Sequence, residues 1–445
     1  MLILGLCCSL VEAASIGRFD WQQAEGRDPY RLVFKVHENN DWTLDSFPTE
    51  WMYLKPMTKA LFQTSPQTLA KTYQRLQAQG VEDLSTYMVI NGEPEQLDAI
   101  AQRLQFDSRI EHLYRDFLPQ PPPSDIPPTT PSFDERQYDR LSAPTGFGFD
   151  AVQSISQGEG VRIVDIEYSY DPFHEDLRNS QSEHTWGWDV DQWQYHGNAV
   201  LGQLIGTENA YGVTGYVPQS EVWVVSPYVN PDWYSVGDAL LYTLDVLVEG
   251  DVVLIEQQTY AWGDYCPMEY VPAVFDAIQW VTASGIHVVE PSANGAHDLD
   301  DAQWDGWFDL YQQDSGAIMV GGSGANRLPL QWSGGSSFGS RIDVQGWFEG
   351  IVTTSTWELA DLFYPEDSRQ AYTQYFGGTS GASPQIVGVV ATFQSALLAS
   401  EGEVWSPLMM RQLLREQGRS QLYTDLDTVI GTQPNVETLV NMWAW

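Results

Sequence analysis

One serine in this chain stands in surroundings that suit a nucleophile. Ser380 lies in the run Phe376-Gly-Gly-Thr-Ser-Gly-Ala-Ser-Pro384, just before the apolar residues 385–398, which predict a buried helix. A helix beginning there would bring unpaired backbone N–H groups and its positive dipole end to the serine, where both stabilise an oxyanion. Pro384 would fit the first turn of that helix. We predict an exposed nucleophile, with a helix-capping serine as the alternative.

The positions of the histidines limit the order of a catalytic triad. No histidine follows Ser380, and Ala382 stands where an α/β-hydrolase elbow needs glycine, so the base must precede the nucleophile. His196 opens the run His196-Gly-Asn-Ala-Val-Leu-Gly202, which is small and apolar enough to predict a second buried helix. We therefore predict that His196 takes the Ser380 proton and returns it to the leaving amine.

Three motifs together resemble those of the subtilisin-like serine peptidases. Gly-Thr-Ser-x-Ala-Ser-Pro, ending at Pro384, resembles the family's nucleophile motif, and the run from His196 to Gly202 resembles its histidine motif. Ser292-Ala-Asn-Gly295 resembles the family's Ala-Gly-Asn-x-Gly region, with alanine in place of the first glycine. The resemblance implies that Asn294 donates its side-chain amide to the oxyanion. A turn asparagine before glycine is the alternative.

The acid of the triad departs from the family pattern. The family's first core strand ends in aspartate, followed by a turn and His-Pro-Asp-Leu, whereas residues 161–177 read VRIVDIEYSYDPFHEDL. Gap-free spacing places Glu167 at the acid position, and Asp165 remains the alternative because side chains two apart on a strand share one face. If Glu167 is the acid, Asp165 lies beneath the site and must be hydrogen-bonded or protonated.

The segment bordering the substrate also differs from the family. The resemblance aligns the family's Ser-Leu-Gly-Gly with Glu256-Gln-Gln-Thr259, so Glu256, Gln257 and Gln258 are predicted to contact substrate. An acidic wall would favour basic substrate side chains. A buried, paired carboxylate is the alternative for Glu256.

The pattern of apolar runs predicts an α/β fold. Helical segments at 235–248 and 271–284 alternate with near-continuous apolar runs, which indicates a doubly wound, mostly parallel sheet covered on both faces. Such sheets bind ligands beyond the carboxyl ends of their strands. The predicted strands are residues 161–167, 221–225, 252–257, 286–291, 317–321 and 341–344.

Four regions are predicted along the chain. Residues 1–15 resemble a secretory signal without a basic start, and residues 30–118 form a small α+β unit. Residues 119–132 are a proline-rich linker, and residues 133–445 are the subtilisin-like domain. The order implies a propeptide that is cut away, with an unrelated accessory domain as the alternative. We expect a secreted protein with no other membrane span.

Composition restricts the partners. The net charge of −39 makes nucleic acid a poor partner, and three cysteines give neither a disulfide framework nor a metal spacing. The predicted chemistry needs no cofactor, and a structural calcium ion is left unassigned, although the aspartates at 298–301 are candidates.

The sequence therefore predicts a propeptide-bearing serine endopeptidase that acts on polypeptides through an acyl-enzyme. Two alternatives stay open. The acid-active sedolisins, with a Ser-Glu-Asp triad, are suggested by Glu167 but disfavoured by the presence of His196 and Asn294. An inactive binding or scaffolding member of the fold would be expected to lose a reacting group, and no such group is missing from the sequence.

Overall fold

The chain divides into two compact units at the boundary between Ile126 and Pro127. The computed structural model describes residues 30–38, 42–79, 81–117, 129–324, 331–421 and 428–443. The signal-like residues 1–15 and residues 119–128 of the predicted linker lie outside this range. The region boundaries and the propeptide assignment therefore stay predictions.

The first unit is a four-stranded antiparallel sheet with two helices. Its sheet order is β2-β3-β1-β4, and apolar residues of the strands pack with α2 in one buried cluster. These strands and helices give the α+β composition that the sequence predicts for this region. The elements are β1 (Tyr30–Val36), β2 (Thr58–Ala60), α1 (Pro66–Leu76), β3 (Tyr87–Ile90), α2 (Pro94–Leu104) and β4 (Ile110–Phe117).

The second unit contains the larger sheet. Its strands are β5 (Arg162–Ile166), β6 (Ser182–Trp186), β7 (Glu221–Val225), β8 (Tyr228–Asn230), β9 (Trp233–Tyr234), β10 (Val252–Ile255), β11 (Thr259–Ala261), β12 (Asp264–Cys266), β13 (His287–Pro291), β14 (Ile318–Ser323), β15 (Val344–Trp347), β16 (Ile351–Thr354) and β17 (Tyr372–Phe376). Its helices are α3 (Phe149–Val152), α4 (Gln194–Ile205), α5 (Val236–Val246), α6 (Pro272–Ala283), α7 (Thr379–Glu401), α8 (Pro407–Gln417) and α9 (Val436–Trp443).

Seven strands form one parallel sheet in the order β15-β14-β13-β10-β5-β7-β6. One face packs against α4, α7 and α9, and the other against α5 and α6. The central strands are buried on both faces, which explains their apolar sequences. The predicted doubly wound α/β fold is confirmed.

Helix α7 runs through the centre of this unit. Among the described residues it is the one helix long and apolar enough to cross a membrane, but 89% of its most apolar window is buried inside the fold. Its apolar composition is therefore accounted for by core packing.

The structure corrects the predictions in three places. Strand β6 was missed because its sequence, SEHTW, is polar and lies at the sheet edge. Strand β15 begins at Val344, where the predicted strand ended. Pro384 is not in the first turn of its helix, because α7 already begins at Thr379. Pro384 lies within the helix, and its missing N–H leaves the Ser380 carbonyl without the usual i+4 donor.

Candidate active site

The parallel strands bring the predicted site residues to one edge of the sheet. Glu167 directly follows β5, and Glu256 directly follows the neighbouring strand β10. Asn294 follows β13, the next strand along. His196 and Ser380 stand in the first turns of α4 and α7, the helices that pack side by side on one face.

The His196 ring is held by Glu167. Its Nδ1 shares a short hydrogen bond with Glu167 Oε2, while Glu167 Oε1 accepts the Tyr168 backbone N–H at 2.7 Å. The Glu167 side chain is fully buried, and the His196 side chain is 22% exposed. Burial alone would lower the pKa of His196, but the charge and hydrogen bond of Glu167 outweigh it and raise that pKa above its usual 6.5.

A glycine permits this close approach. A Cβ at Gly197 would lie 2.1 Å from the Ser169 carbonyl oxygen and 3.0 Å from Glu167 Cγ. The start of α4 can therefore lie directly against the loop that follows β5. On the opposite side, the Phe376 ring meets the imidazole edge to face, with the ring centres 5.6 Å apart.

Asp165 has a different environment from Glu167. It lies on β5 beside Leu254 and Val224, is fully buried, and neither of its carboxylate oxygens has a hydrogen-bond partner. Burial, followed by the nearby charge of Glu167, raises its pKa well above the usual value. The protonated form of Asp165 is therefore favoured, and His196 Nδ1 has its hydrogen bond with Glu167 and not with Asp165.

Ser380 is the second residue of α7 and is partly exposed. Gly378 precedes the helix with φ of 78° and ψ of −178°, a conformation that is essentially restricted to glycine. Within the turn, the N–H groups of Gly381 and Ala382 donate to the Gly378 carbonyl, whereas the N–H of Ser380 has no hydrogen bond to any residue that the structure describes. That N–H is therefore available to a ligand, as the sequence predicts for an oxyanion donor.

The Asn294 side chain is oriented by the residue before the serine. Its Oδ1 accepts the Thr379 backbone N–H at 2.8 Å and the Thr379 hydroxyl at 3.1 Å. Because the oxygen is occupied, the Nδ2 amide is the group of this side chain that is left to donate to a ligand. Ala293 adopts φ of 70° beside it, where the family pattern has glycine. The resulting backbone strain lies next to the predicted oxyanion donor.

The three residues after β10, Glu256 to Gln258, have different environments. Gln257 is buried, donates to the Ile166 carbonyl and accepts from the Tyr234 hydroxyl at 2.9 Å. Gln258 accepts the Asn294 backbone N–H at 3.0 Å, so it supports the oxyanion loop. Glu256 is buried without an ion-pair partner among the described residues, so the alternative of a paired carboxylate does not hold. Contact of these residues with substrate stays a prediction.

The aspartates at 298–301, which the sequence offers as calcium ligands, form hydrogen bonds within the protein. Asp298 and Asp301 each accept a backbone N–H two residues on, and Asp300 accepts both the N–H and the hydroxyl of Ser340. Within the described ranges, no group of three or more His, Cys, Asp or Glu side chains could hold a metal ion.

Sequence reasoning missed the residues that position the reacting groups. Thr379 orients Asn294, the Tyr168 N–H holds Glu167, and Gly197 allows their approach. Thr379 and Gly197 lie inside recognisable motifs, so their presence was visible but their roles were not. The sequence could not show the role of Tyr168, because the donor is its backbone N–H and every residue except proline has one. A serine, a carboxylate-bound imidazole and two N–H donors without an acceptor among the described residues are the kinds of group that acyl transfer uses.

Comparison with known proteins shows the fold and the family. The chain is 23% identical over 274 residues to an intracellular serine protease of Paenibacillus polymyxa, covering 60% of this chain and 76% of that one. Among solved structures, it resembles a protease from Pseudoalteromonas arctica with a TM-score of 0.52 and 18% identity, covering 70% of this chain and 98% of that one. The prenylagaramide maturation protease PagA gives a TM-score of 0.50 and 14% identity, over 66% and 97%. Residues 128–432 match the model of the subtilase family, so the chain belongs to that family of serine peptidases.

Proposed function

We propose that this subtilase is a serine endopeptidase in which Ser380 attacks the peptide carbonyl and His196 is the general base. The observation that carries the proposal is the hydrogen bond between His196 Nδ1 and buried Glu167 at the sheet edge where α7 presents Ser380. This bond places the Nδ1 proton toward Glu167 and leaves Nε2 as the acceptor. The imidazolium formed on proton transfer is then stabilised by the Glu167 charge.

Two hydrogen-bond donors stabilise the oxyanion. As the carbonyl becomes tetrahedral, its oxygen accepts the free Ser380 N–H and the Asn294 Nδ2 amide, which Thr379 has already oriented. The imidazolium then gives its proton to the leaving amine, which leaves an acyl-enzyme on Ser380. Water attacks the ester with the same base, and Ser380 is regenerated.

We also propose that the protein is secreted as a zymogen whose N-terminal unit is its propeptide. Support comes from the order of a separate α+β unit, a proline-rich linker and a peptidase domain. Secretion rests on the signal-like residues 1–15, since the Paenibacillus relative is named as an intracellular enzyme.

The deciding experiment is covalent labelling with a serine-directed fluorophosphonate. The wild-type protein should label and hydrolyse peptides, and Ser380→Ala should abolish labelling and reduce hydrolysis by about 10⁶-fold. Ser383→Ala is the matched control, because Ser383 is buried in the same motif and donates to the Thr379 carbonyl at 2.9 Å. It should label normally. A folded wild-type protein that does not label would instead support a non-catalytic binding role.

A further inference from the structure

Glu256 is a carboxyl group at the active site that the triad does not use. Its side chain is buried, at 4% exposure, and neither oxygen meets a donor in normal hydrogen-bond geometry. The Ser380 hydroxyl on α7 is a neighbour of this carboxyl group and lowers its pKa, although it lies outside normal hydrogen-bond geometry. His196 has its hydrogen bond with Glu167 and none to Ser380 in this structure. The carboxyl group of Glu256 is therefore a second group, besides the His196 ring, that could accept the Ser380 proton.

The charges around Glu256 are unfavourable for a second anion. Asp165 faces it from β5 and Glu167 from the residue after β5, and none of the ion pairs in the described part of the chain involves Glu256. When His196 is protonated, its positive charge is paired with Glu167. Burial, then Asp165 and Glu167, raise the pKa of Glu256 well above its usual value, and the Ser380 hydroxyl lowers it only in part.

The two protonation states of Glu256 have different effects on Ser380. A neutral carboxyl group can donate to the serine oxygen and leaves the hydroxyl proton free to turn toward His196. An ionised carboxylate only accepts, so it holds the Ser380 proton away from His196. Its charge would also oppose the negative charge that develops on the substrate oxygen nearby.

We propose that Glu256 is a second carboxyl group of the catalytic centre, which permits attack by Ser380 when protonated and blocks it when ionised. This rests on the proposed serine mechanism and adds a further ionisation to it. Activity should then have two pH limbs. The rising limb belongs to deprotonation of His196, and the falling limb to ionisation of Glu256.

The test is the pH dependence of fluorophosphonate labelling and of kcat/KM for wild type and Glu256→Gln. Glutamine has the size of the neutral acid but cannot ionise. Wild-type rates should fall by about tenfold per pH unit on the alkaline limb, whereas Glu256→Gln should keep the rising limb and then stay level. Glu256→Ser, which removes the carboxyl group and leaves a smaller side chain, is a second variant with the same expected profile.

Asp165→Asn is the matched control. It removes the neighbouring buried carboxyl group, which helps to raise the pKa of Glu256, so it should keep the falling limb but move it to lower pH. The proposal is overturned if wild type has no falling limb, if folded Glu256→Gln and Glu256→Ser retain it, or if both are inactive at every pH. A loss confined to substrates with basic side chains, at an unchanged pH profile, would assign Glu256 to substrate recognition. Failure of the serine mechanism itself is distinct, because wild type would then not label at any pH.

Discussion

Replacing Glu167 by glutamine should inactivate the enzyme while preserving its fold, and the hydrogen bonds show why. Glu167 Oε1 is committed to the Tyr168 N–H, so the glutamine oxygen will occupy that position and its NH₂ group will face His196 Nδ1. The ring must then accept at Nδ1 and carry its proton on Nε2. An Nε2 that already holds a proton cannot take one from Ser380.

The expected loss in kcat is about 10⁴-fold, as for the equivalent acid in other Ser-His-acid triads, which corresponds to about 5.5 kcal/mol of transition-state stabilisation. The residual activity carries a second signature. Without the Glu167 charge, burial becomes the dominant influence on His196 and its pKa should fall, so the rising limb should move to lower pH.

Steady-state kinetics from pH 4 to 10, with active-site titration and a melting curve for each variant, measure both effects. Asp165→Asn is the control, because it removes a carboxyl group two residues away on the same strand and should retain activity near pH 7. The reasoning would be refuted if Glu167→Gln stayed within tenfold of wild type while Asp165→Asn lost about 10⁴-fold. Asp165 would then be the triad acid.

Four further outcomes are expected. Asn294→Ala should reduce kcat by about 10²- to 10³-fold at nearly unchanged KM, and an unchanged kcat would remove it from the oxyanion hole. Ala293→Gly should relieve the positive φ and stabilise the fold by about 0.5–1 kcal/mol in chemical denaturation, with a lower midpoint contradicting the strain. Intact mass should show cleavage within residues 118–141 in wild type but not in Ser380→Ala; an active full-length wild type would make the first unit an accessory domain. Because the pKa of Asp165 is raised in the fold, the contribution of Asp165 to wild-type stability falls as pH rises above about 4. The melting temperature of Asp165→Asn relative to wild type should therefore rise toward pH 8, and a pH-independent difference would contradict this.

The sequence predicted the parallel sheet because its central strands are buried on both faces and therefore apolar throughout. It failed at β6, where an edge strand keeps polar side chains that give no periodic signal. It also failed at Pro384, because propensity places proline in a first turn, whereas tertiary packing holds it inside α7. Both errors lie where local preference and the whole fold disagree.

The site was predictable to the extent that its chemistry lies in motifs. Ser380, His196 and Asn294 could be proposed from the sequence because their neighbours are small residues that packing against α4, α7 and the oxyanion loop requires. The environment of Glu256 was not predictable, because the lack of hydrogen-bond partners for its oxygens depends on how the strand ends meet in space. Its sequence neighbours, Gln257 and Gln258, turn out to support the site through hydrogen bonds to a backbone carbonyl and to the Asn294 N–H.

The number of ionised carboxyl groups at the site is limited by the number of positive charges near them. Asp165, Glu167 and Glu256 are buried at the ends of the adjacent strands β5 and β10, and His196 is the cation that the triad geometry supplies. Two uncompensated carboxylates in so small a buried volume would each cost several kcal/mol, so one negative charge is the stable number. Of the three carboxyl groups, Glu167 has both a backbone N–H and the imidazole as hydrogen-bond partners, and the oxygens of the other two have none in the described part of the chain. In the proposed mechanism, the substrate oxygen then develops its negative charge near buried carboxyl groups that carry only one negative charge between them. It forms on the side where the Ser380 N–H and the Asn294 amide are unpaired.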